Sequence, residues 1–194
     1  MSGPFDANDD ATPLEPAERE GLIPTHVTLR HELNELEQQN ILEAEIWAFG
    51  RKRDAANEGF LRGLHKRMFG NVWKWAGEYR NTERNLGVTV YKIQPDLIQL
   101  LDNVRYWITH KTFSSDEIAI RFHHGLVLIH PFPNGNGRWA RTAADILIVN
   151  LGGERFSWGR TNLQTQSGVR IRYVDALKAA DKHIFELLVT FARS

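Results

Sequence analysis

Residues 126–141 read Leu126-Val-Leu-Ile-His130-Pro-Phe-Pro-Asn134-Gly-Asn-Gly137-Arg138-Trp-Ala-Arg141. The apolar run predicts a helix that ends at His130, because Pro131 and Pro133 push the residues before them into extended backbone. Gly135 and Gly137 are expected to turn the chain with positive φ, which glycine adopts without steric cost. A second helix is predicted directly after this turn, from about Arg138 to Leu151.

The glycine-rich turn and the helix after it predict an anion site. The first N–H groups of a helix have no acceptor within the helix and lie at the positive end of its dipole. Arg138 and Arg141 are three residues apart, so both guanidinium groups leave one helical face and can bind phosphate oxygens in pairs. His130 could take a proton from an attacking hydroxyl. The stretch therefore predicts a phosphate cradle beside a candidate general base.

Outside this stretch the chain is predicted to be mainly α-helical. Ser114 and Glu117 form a capping box, which indicates the start of the helix that leads to His130. Residues 87–93, Gly-Val-Thr-Val-Tyr-Lys-Ile, are short and β-branched, and predict one arm of a small β-hairpin. Residues 1–24 are rich in proline and polar residues and predict a flexible N-terminal arm, while residues 25–194 are predicted to form one domain.

Composition narrows the function classes further. The chain has 194 residues, a formal net charge of zero and no cysteine. A net charge of zero argues against nucleic-acid binding, and the absence of cysteine excludes thiol catalysis and thiolate zinc sites. The sequence shows neither a signal peptide nor an apolar run long enough to span a bilayer, so we expect a soluble, cytoplasmic protein with no membrane contact.

Two competing interpretations of the motif fit less well. The spacing Gly135-x-Gly137-x-x-Ala140 imitates a dinucleotide-binding fingerprint, but that fingerprint needs a strand before it, and the preceding pattern is helical. His123 and His124 are adjacent on the helix before the motif and point about 100° apart, so they are poorly placed to share a zinc ion.

The motif resembles the Fic motif, His-x-Phe-x-(Asp/Glu)-Gly-Asn-Gly-Arg-x-x-Arg. The matching positions are His130, Phe132, Gly135, Asn136, Gly137, Arg138 and Arg141. Residues 75–80, Trp-Ala-Gly-Glu-Tyr-Arg, are similar to the segment that precedes the Fic flap hairpin, and residues 87–93 are similar to the flap. The resemblance covers about residues 28–190 and implies a Fic-type helical bundle.

The resemblance implies transfer of AMP from ATP to a Ser, Thr or Tyr hydroxyl of a target protein. By this resemblance, His130 deprotonates the hydroxyl, and residues 135–137 hold the α- and β-phosphates. Arg138 and Arg141 bind oxygens of the departing pyrophosphate. The residues expected to pair with the backbone of the target are Val88, Thr89, Val90 and Tyr91.

Asn134 is a departure from the family motif, which has an acidic residue at this position that holds Mg²⁺ against the phosphates. An amide oxygen can ligate Mg²⁺ or Mn²⁺ but brings no charge. We therefore expect the same reaction with weaker metal binding. Two alternatives stay open: transfer of another nucleotide or of phosphate, and a non-catalytic module that binds a nucleotide or a partner protein.

Many family members also carry an inhibitory helix, (Ser/Thr)-x-x-x-Glu-(Gly/Asn), whose glutamate blocks the second arginine. Glu20 and Glu58 precede glycine here, but neither has Ser or Thr four residues before it. Three options remain for inhibition: a helix that matches this motif less strictly, a partner protein, or no inhibition at all. Residues 20–26 and 33–37 more narrowly resemble the "mobile mystery protein B" group, a bacterial Fic branch paired with a small helix-turn-helix protein. That resemblance favours an antitoxin-like partner and a toxin-like role.

Overall fold

The computed structural model describes residues 19–160 and 168–194, and these residues are mainly α-helical, as predicted. Two short 3₁₀ turns lie at Val90–Lys92 and Trp158–Arg160. The α-helices are α1 (Arg30–Phe49), α2 (Glu58–Phe69), α3 (Ile93–His110), α4 (Ser115–Ile129), α5 (Asn136–Asn150), α6 (Gly168–Ala180) and α7 (Glu186–Arg193). None of the helices in these two ranges combines the length and the apolar character that crossing a bilayer requires.

Helices α4 and α5 form the centre of the bundle. α4 packs against α3, α5 and α7, while α5 also contacts α1 and α2. α5 is buried along most of its length, and Ala140, Ala143 and Ala144 have no exposed surface. Small side chains let neighbouring helices approach closely, and a helix buried nearly all round belongs to the core of its domain. The turn between α4 and α5, which contains the motif, is therefore anchored at both ends in the core.

The ends of α4 follow the local sequence signals. Ser114 is the N-cap, and its Oγ accepts a hydrogen bond from the Glu117 N–H at 3.2 Å. His130 ends the helix in the left-handed conformation, with φ 52°. α5 begins at Asn136, two residues earlier than predicted. Gly135 has the predicted positive φ of 79°, but Gly137 already lies inside α5, so its predicted positive φ is wrong.

The predicted β-hairpin at residues 87–93 is wrong. Among the described residues this stretch contains no strand: residues 90–92 form a 3₁₀ turn and α3 begins at Ile93. The Val88 N–H donates to the Ile129 carbonyl at 3.3 Å, and the Val88 carbonyl accepts from the Arg80 guanidinium. These groups would form the ladder of a hairpin, and here they bond to other parts of the chain, so no partner strand is needed. Residues 82–92 are called the flap segment below.

Most of the predicted N-terminal arm, residues 1–18, lies outside the described residues. Its last residues run antiparallel to residues 72–74. The Ile23 N–H donates to the Val72 carbonyl at 2.8 Å, and the Lys74 N–H donates to the Gly21 carbonyl at 2.9 Å. Leu22 and Trp73 form an isolated β-bridge between them. These contacts attach residues 21–23 to the domain.

Candidate active site

His130 stands at the C-terminal end of α4, where two contacts fix it. Its ring Nδ1 donates to the Val127 carbonyl at 3.4 Å, since a carbonyl can only accept. Its own carbonyl accepts from Arg80 Nε at 2.7 Å. Burial, together with the positive charges of Arg80 and Arg84, lowers the pKa of His130 to about 4. At neutral pH the ring is therefore uncharged, and the Nε2 lone pair is the one that can accept a proton.

The loop after His130 is held by the side chain of Asn136, which is buried. Its Oδ1 accepts from the Phe132 N–H at 2.9 Å, and its Nδ2 donates to the Phe132 carbonyl at 2.8 Å. Phe132 is itself fully buried. Because both polar groups of the Asn136 side chain bond to Phe132, this side chain fixes the shape of the loop.

The N-terminus of α5 lies at the glycine turn for which the sequence predicts an anion site. Gly135 is the N-cap, and no side chain caps the helix there. The N–H groups of residues 136–138 have no acceptor within α5, as in the first turn of any helix, and the helix dipole makes this end positive. A Cβ on Gly135 would lie 2.6 Å from the Phe69 ring, so this glycine is required for space as well as for its φ.

Asn134, the predicted metal ligand, has its side chain turned back onto the loop. Its Oδ1 accepts from the Gly135 N–H at 2.5 Å, and its backbone carbonyl accepts from His65 Nε2 at 3.0 Å. Among residues 19–160 and 168–194 no three His, Cys, Asp or Glu side chains are grouped to hold a metal ion. The Asn134 side chain therefore offers a neutral oxygen at the position where the resemblance implies a metal ligand.

The two motif arginines contact different helices. Arg138 donates to Glu37 Oε2 on α1 at 2.7 Å and lies over the Phe69 ring on α2. Arg141 lies 5.7 Å from the centre of the Tyr173 ring on α6. The arginine pair for the phosphates stays a prediction, and in the structure Arg138 is already paired with a carboxylate.

Glu37 is a site residue that the sequence analysis did not identify. Only 7% of its side chain is exposed, and it accepts two hydrogen bonds: one from Arg138 and one from Trp73 Nε1 at 2.7 Å. Glu37 and Arg138 are 101 positions apart in the chain. No local pattern indicates such a pair, because Glu37 fits an ordinary amphipathic helix when the sequence is inspected alone.

His65 on α2 is a second residue that sequence reasoning missed. It is fully buried, and its ring stacks on Phe132 with 3.7 Å between the ring centres. Its Nδ1 accepts from the Gly77 N–H at 3.0 Å, so Nε2 carries the proton that is donated to the Asn134 carbonyl. Burial lowers the pKa of His65 to about 3, which keeps it neutral. His65 thus joins the motif loop to residues 75–80.

The residues predicted to dock a target, Val88 to Tyr91, lie in the flap segment next to His130. A Cβ on Gly87 would be 2.6 Å from His130 Cβ, so the backbone of the flap segment passes directly over the base. The Tyr91 side chain is 75% exposed. The structure thus brings the first residues of this group beside the base, although without the predicted strand.

His123 and His124, the pair considered for zinc, bond in different directions. His123 Nε2 lies 2.9 Å from the Tyr173 hydroxyl on α6. His124 Nε2 lies 2.8 Å from Asp181 Oδ1, beyond the end of α6. Both histidines therefore connect α4 to the C-terminal part of the chain.

The buried histidines predict that acid destabilises the fold. Burial lowers the pKa of His65 and His123 to about 3 and that of His130 to about 4. All three folded values lie below the unfolded value of about 6.5, so the unfolded chain binds more protons as the pH falls. Burial raises the pKa of Asp145 to about 6, so the folded chain binds a proton there before the unfolded chain does. This proton offsets one of the three that the histidines bind only in the unfolded chain.

Near pH 5 the unfolded chain binds about two more protons than the folded chain. The free energy of unfolding should therefore fall by about 2–3 kcal/mol for each unit by which the pH is lowered there. Urea unfolding at pH 7, 6 and 5 measures this slope. His110→Gln changes an exposed histidine and should leave the slope unaltered. Equal stability at pH 7 and pH 5 would contradict the assignment of three buried neutral histidines.

Fold and site together define a class of protein. The described residues form a helical domain with an uncapped helix N-terminus at a glycine turn and a neutral histidine at the end of the preceding helix. The first comparison gives the family: residues 55–148 match the model of the Fic/DOC family. This part of the chain is just under half of its length, contains the whole motif and is similar to a Fic/DOC domain.

Curated relatives carry the same domain within longer chains. Protein adenylyltransferase Fic of Aedes aegypti is 30% identical over 132 residues, which are 66% of this chain and 25% of the relative. Protein adenylyltransferase fic-1 of Caenorhabditis elegans is 34% identical over 94 residues, which are 46% of this chain and 18% of the relative. The chain thus spans a quarter or less of the length of these relatives.

Solved structures share the fold. Fic-1 of Caenorhabditis elegans (residues 134–508) superposes with a TM-score of 0.65 at 23% identity, over 91% of this chain and 52% of that one. BepC of Bartonella tribocorum, solved with bound AMPPNP, gives a TM-score of 0.66 at 18% identity, over 92% of this chain and 97% of that one. The Fic-type helical bundle that the sequence predicts is therefore confirmed.

Proposed function

We propose that this chain is a protein adenylyltransferase, which transfers AMP from ATP to a Ser, Thr or Tyr hydroxyl of a target protein. The observation that carries the proposal is the neutral His130 at the end of α4, next to the uncapped N-terminus of α5. Such a pair combines a proton acceptor with an anion site, which is what attack of a hydroxyl on a phosphate requires. The names of the curated relatives support the same activity.

The proposed reaction is a direct displacement at the α-phosphorus. The target hydroxyl gives its proton to His130 Nε2 while its oxygen bonds to the α-phosphorus. The bond from the α-phosphorus to the bridging oxygen breaks, and pyrophosphate leaves with that oxygen. The N–H groups of residues 136 and 137, which have no acceptor within α5, receive the α- and β-phosphates, and Arg141 and Arg138 stabilise charge on the departing pyrophosphate. No covalent intermediate with the protein is needed.

We propose that Mg²⁺ or Mn²⁺ assists as a cofactor that the Asn134 side chain and the phosphates hold together. A divalent ion bound there supplies charge neutralisation on the phosphates. The amide Oδ1 accepts one hydrogen bond from Gly135 and keeps a second lone pair, so it is a usable but uncharged ligand. We therefore expect metal affinity to be the weak point of this site.

Asn134→Asp should lower the Mg²⁺ concentration needed for half-maximal transfer, because a carboxylate adds charge at an isosteric position. An effect of about tenfold is expected, which corresponds to about 1.4 kcal/mol. The measurement is a Mg²⁺ titration of the transfer rate at fixed ATP. Asn103→Asp on α3 makes the same chemical change away from the motif and should leave the titration unchanged. An unchanged metal requirement in Asn134→Asp would overturn the assignment of Asn134 as a ligand.

We further propose that Glu37 restrains the site, which answers the question left by the missing inhibitory motif. Its carboxylate holds Arg138, and this pairing competes with the phosphates for the same cation. The restraint then lies within the chain, on α1, in the manner of the looser helix considered above. The narrower "mobile mystery protein B" group, its helix-turn-helix partner, a bacterial toxin-like role and a cytoplasmic location stay proposals that rest on the sequence alone.

Label transfer tests the activity. The protein is mixed with Mg²⁺ or Mn²⁺, a cell lysate and ATP labelled at either the α- or the γ-phosphate. Label from the α-position on protein, with none from the γ-position, supports AMP transfer. Label from the γ-position would indicate phosphate transfer. If ATP gives no label, the assay is repeated with other labelled nucleotides, and label from one of these would identify a different donor. Nucleotide binding without any transfer would overturn the proposed enzymatic activity and favour a non-catalytic module that binds a nucleotide.

A further inference from the structure

Arg80 is a buried cation that lies between the base and the flap segment. Only 2% of the residue is exposed, although arginine is almost never fully buried unless its N–H groups are bonded. It belongs to residues 75–80, which precede the flap segment in the chain. Neither the proposed transfer nor the phosphate cradle assigns this side chain a task.

The guanidinium of Arg80 binds three backbone carbonyls at once. Nε donates to the His130 carbonyl at 2.7 Å, and Nη1 donates to the Thr82 carbonyl at 2.9 Å. Nη2 donates to the Val88 carbonyl. The Arg80 backbone N–H adds a fourth contact, to the Pro131 carbonyl at 2.9 Å. The Arg80 side chain therefore connects the backbone of His130 to both parts of the flap segment, and the Arg80 backbone adds the loop after His130.

The flap segment has further contacts with the same region but no ladder of its own. The Val88 N–H donates to the Ile129 carbonyl, and the Gly87 backbone presses against the His130 side chain. Without a hairpin, the position of residues 82–88 depends on these bonds to α4 and to Arg80. A lysine could not replace Arg80, because its single ammonium is a point donor and lacks the fixed fork that reaches three carbonyls.

We propose that Arg80 is a positioning residue that fastens the flap segment to the backbone of His130, so that a target chain docked on the flap segment presents its hydroxyl to the base. The catalytic part of this inference rests on the proposed transfer. The structural part does not, because the attachment of the flap segment can be measured without any substrate. Catalysis by positioning is sensitive to displacements of about 1 Å, so loss of this attachment should affect the rate strongly.

Arg80→Lys is the first test. Hydrogen exchange of the Val88 N–H should become at least about tenfold faster, while α4 and α5 keep their protection, since local opening need not involve the core. The affinity for ATP, measured by calorimetry, should change by less than about twofold, because Arg80 does not touch the phosphate cradle. Transfer of α-label to lysate protein should fall by about tenfold to a hundredfold.

Arg62→Lys is the matched control. The Arg62 Nε also donates to a backbone carbonyl, that of Gly77 at 3.0 Å, and its guanidinium lies over the Tyr79 ring, so Arg62 holds residues 77 and 79 and not the flap segment. It should change neither the exchange of Val88 nor the transfer rate. If Arg80→Lys instead accelerates exchange throughout α4 and α5 and weakens ATP binding, Arg80 is a general stability residue and the proposal is overturned.

Gly87→Ala tests the same attachment without changing Arg80. Gly87 has a φ of 97°, and a Cβ there would lie 2.6 Å from His130 Cβ, so the flap segment must move away from the base. We expect the phenotype of Arg80→Lys: faster exchange at Val88, unchanged ATP affinity and slower transfer. This variant keeps the proposal testable if Arg80→Lys fails to fold. If neither variant accelerates exchange at Val88, the proposal is wrong, whether or not the chain transfers AMP.

Discussion

Replacing His130 with alanine is expected to lower the rate of AMP transfer by about 10²–10⁴-fold, the usual contribution of a general base. The affinity for ATP should stay within about twofold, because the phosphates are received by α5 and its arginines and not by the imidazole. Single-turnover transfer of α-label, together with calorimetric binding of ATP, separates the two effects. This combination distinguishes loss of the base from loss of the phosphate cradle.

The pH profile adds a second readout for the base. Because burial lowers the pKa of His130 to about 4, the imidazole stays neutral from pH 5 upward. Protonation of His130 should therefore cause no loss of rate between pH 7 and pH 5 in the folded enzyme, and a loss only near pH 4. His110→Ala, on the exposed end of α3, is the control and should transfer at the wild-type rate. A His130→Ala variant that retains more than about a tenth of the rate would exclude His130 as the base.

Replacing Glu37 with glutamine is expected to raise both ATP affinity and transfer rate, each by about tenfold, or about 1.4 kcal/mol. The carboxylate and Arg138 are 2.7 Å apart and mostly buried, so the phosphates must displace a strong partner before they can use this cation. Glutamine keeps the shape of the side chain and an oxygen for the Trp73 Nε1–H, so α1 should retain its packing. The variant therefore removes the charge with little other change.

Two further variants make this test specific. Glu35→Gln neutralises an exposed glutamate on the same helix and should change neither quantity. In an Arg138→Ala background, Glu37→Gln should have no additional effect, because the restraint acts through that arginine. A fall in ATP affinity on Glu37→Gln would mean that Glu37 orients Arg138 for the phosphates, and the proposed restraint would be wrong.

The two predictions concern His130, which could be identified from the sequence, and Glu37, which could not. His130 stands in a local pattern: an apolar helical run, two prolines, and a turn of glycines that leads into a second helix. These signals act through neighbouring residues, so the end of α4 and the start of α5 could be predicted within two residues. Glu37 has no local signal, because its partner lies on a helix that follows about a hundred residues later.

The flap segment shows how a local pattern can mislead. Val88, Thr89 and Val90 have the β-branched character of a strand, and the sequence analysis predicts a hairpin for that reason. The hydrogen bonds that would make a strand are instead satisfied by Arg80 and by the end of α4. Strand formation depends on which groups lie opposite, and this is a property of the packed domain.

The amino-acid sequence alone specifies the helical class, the capped start of α4, its end at His130 and the glycine turn before α5, since each follows from backbone preferences over a few residues. The packing of helices specifies the rest. It brings Glu37 onto Arg138, His65 under the motif loop and Arg80 between the base and the flap segment. These contacts join residues 50–101 positions apart, and buried polar groups must find partners wherever the fold places them.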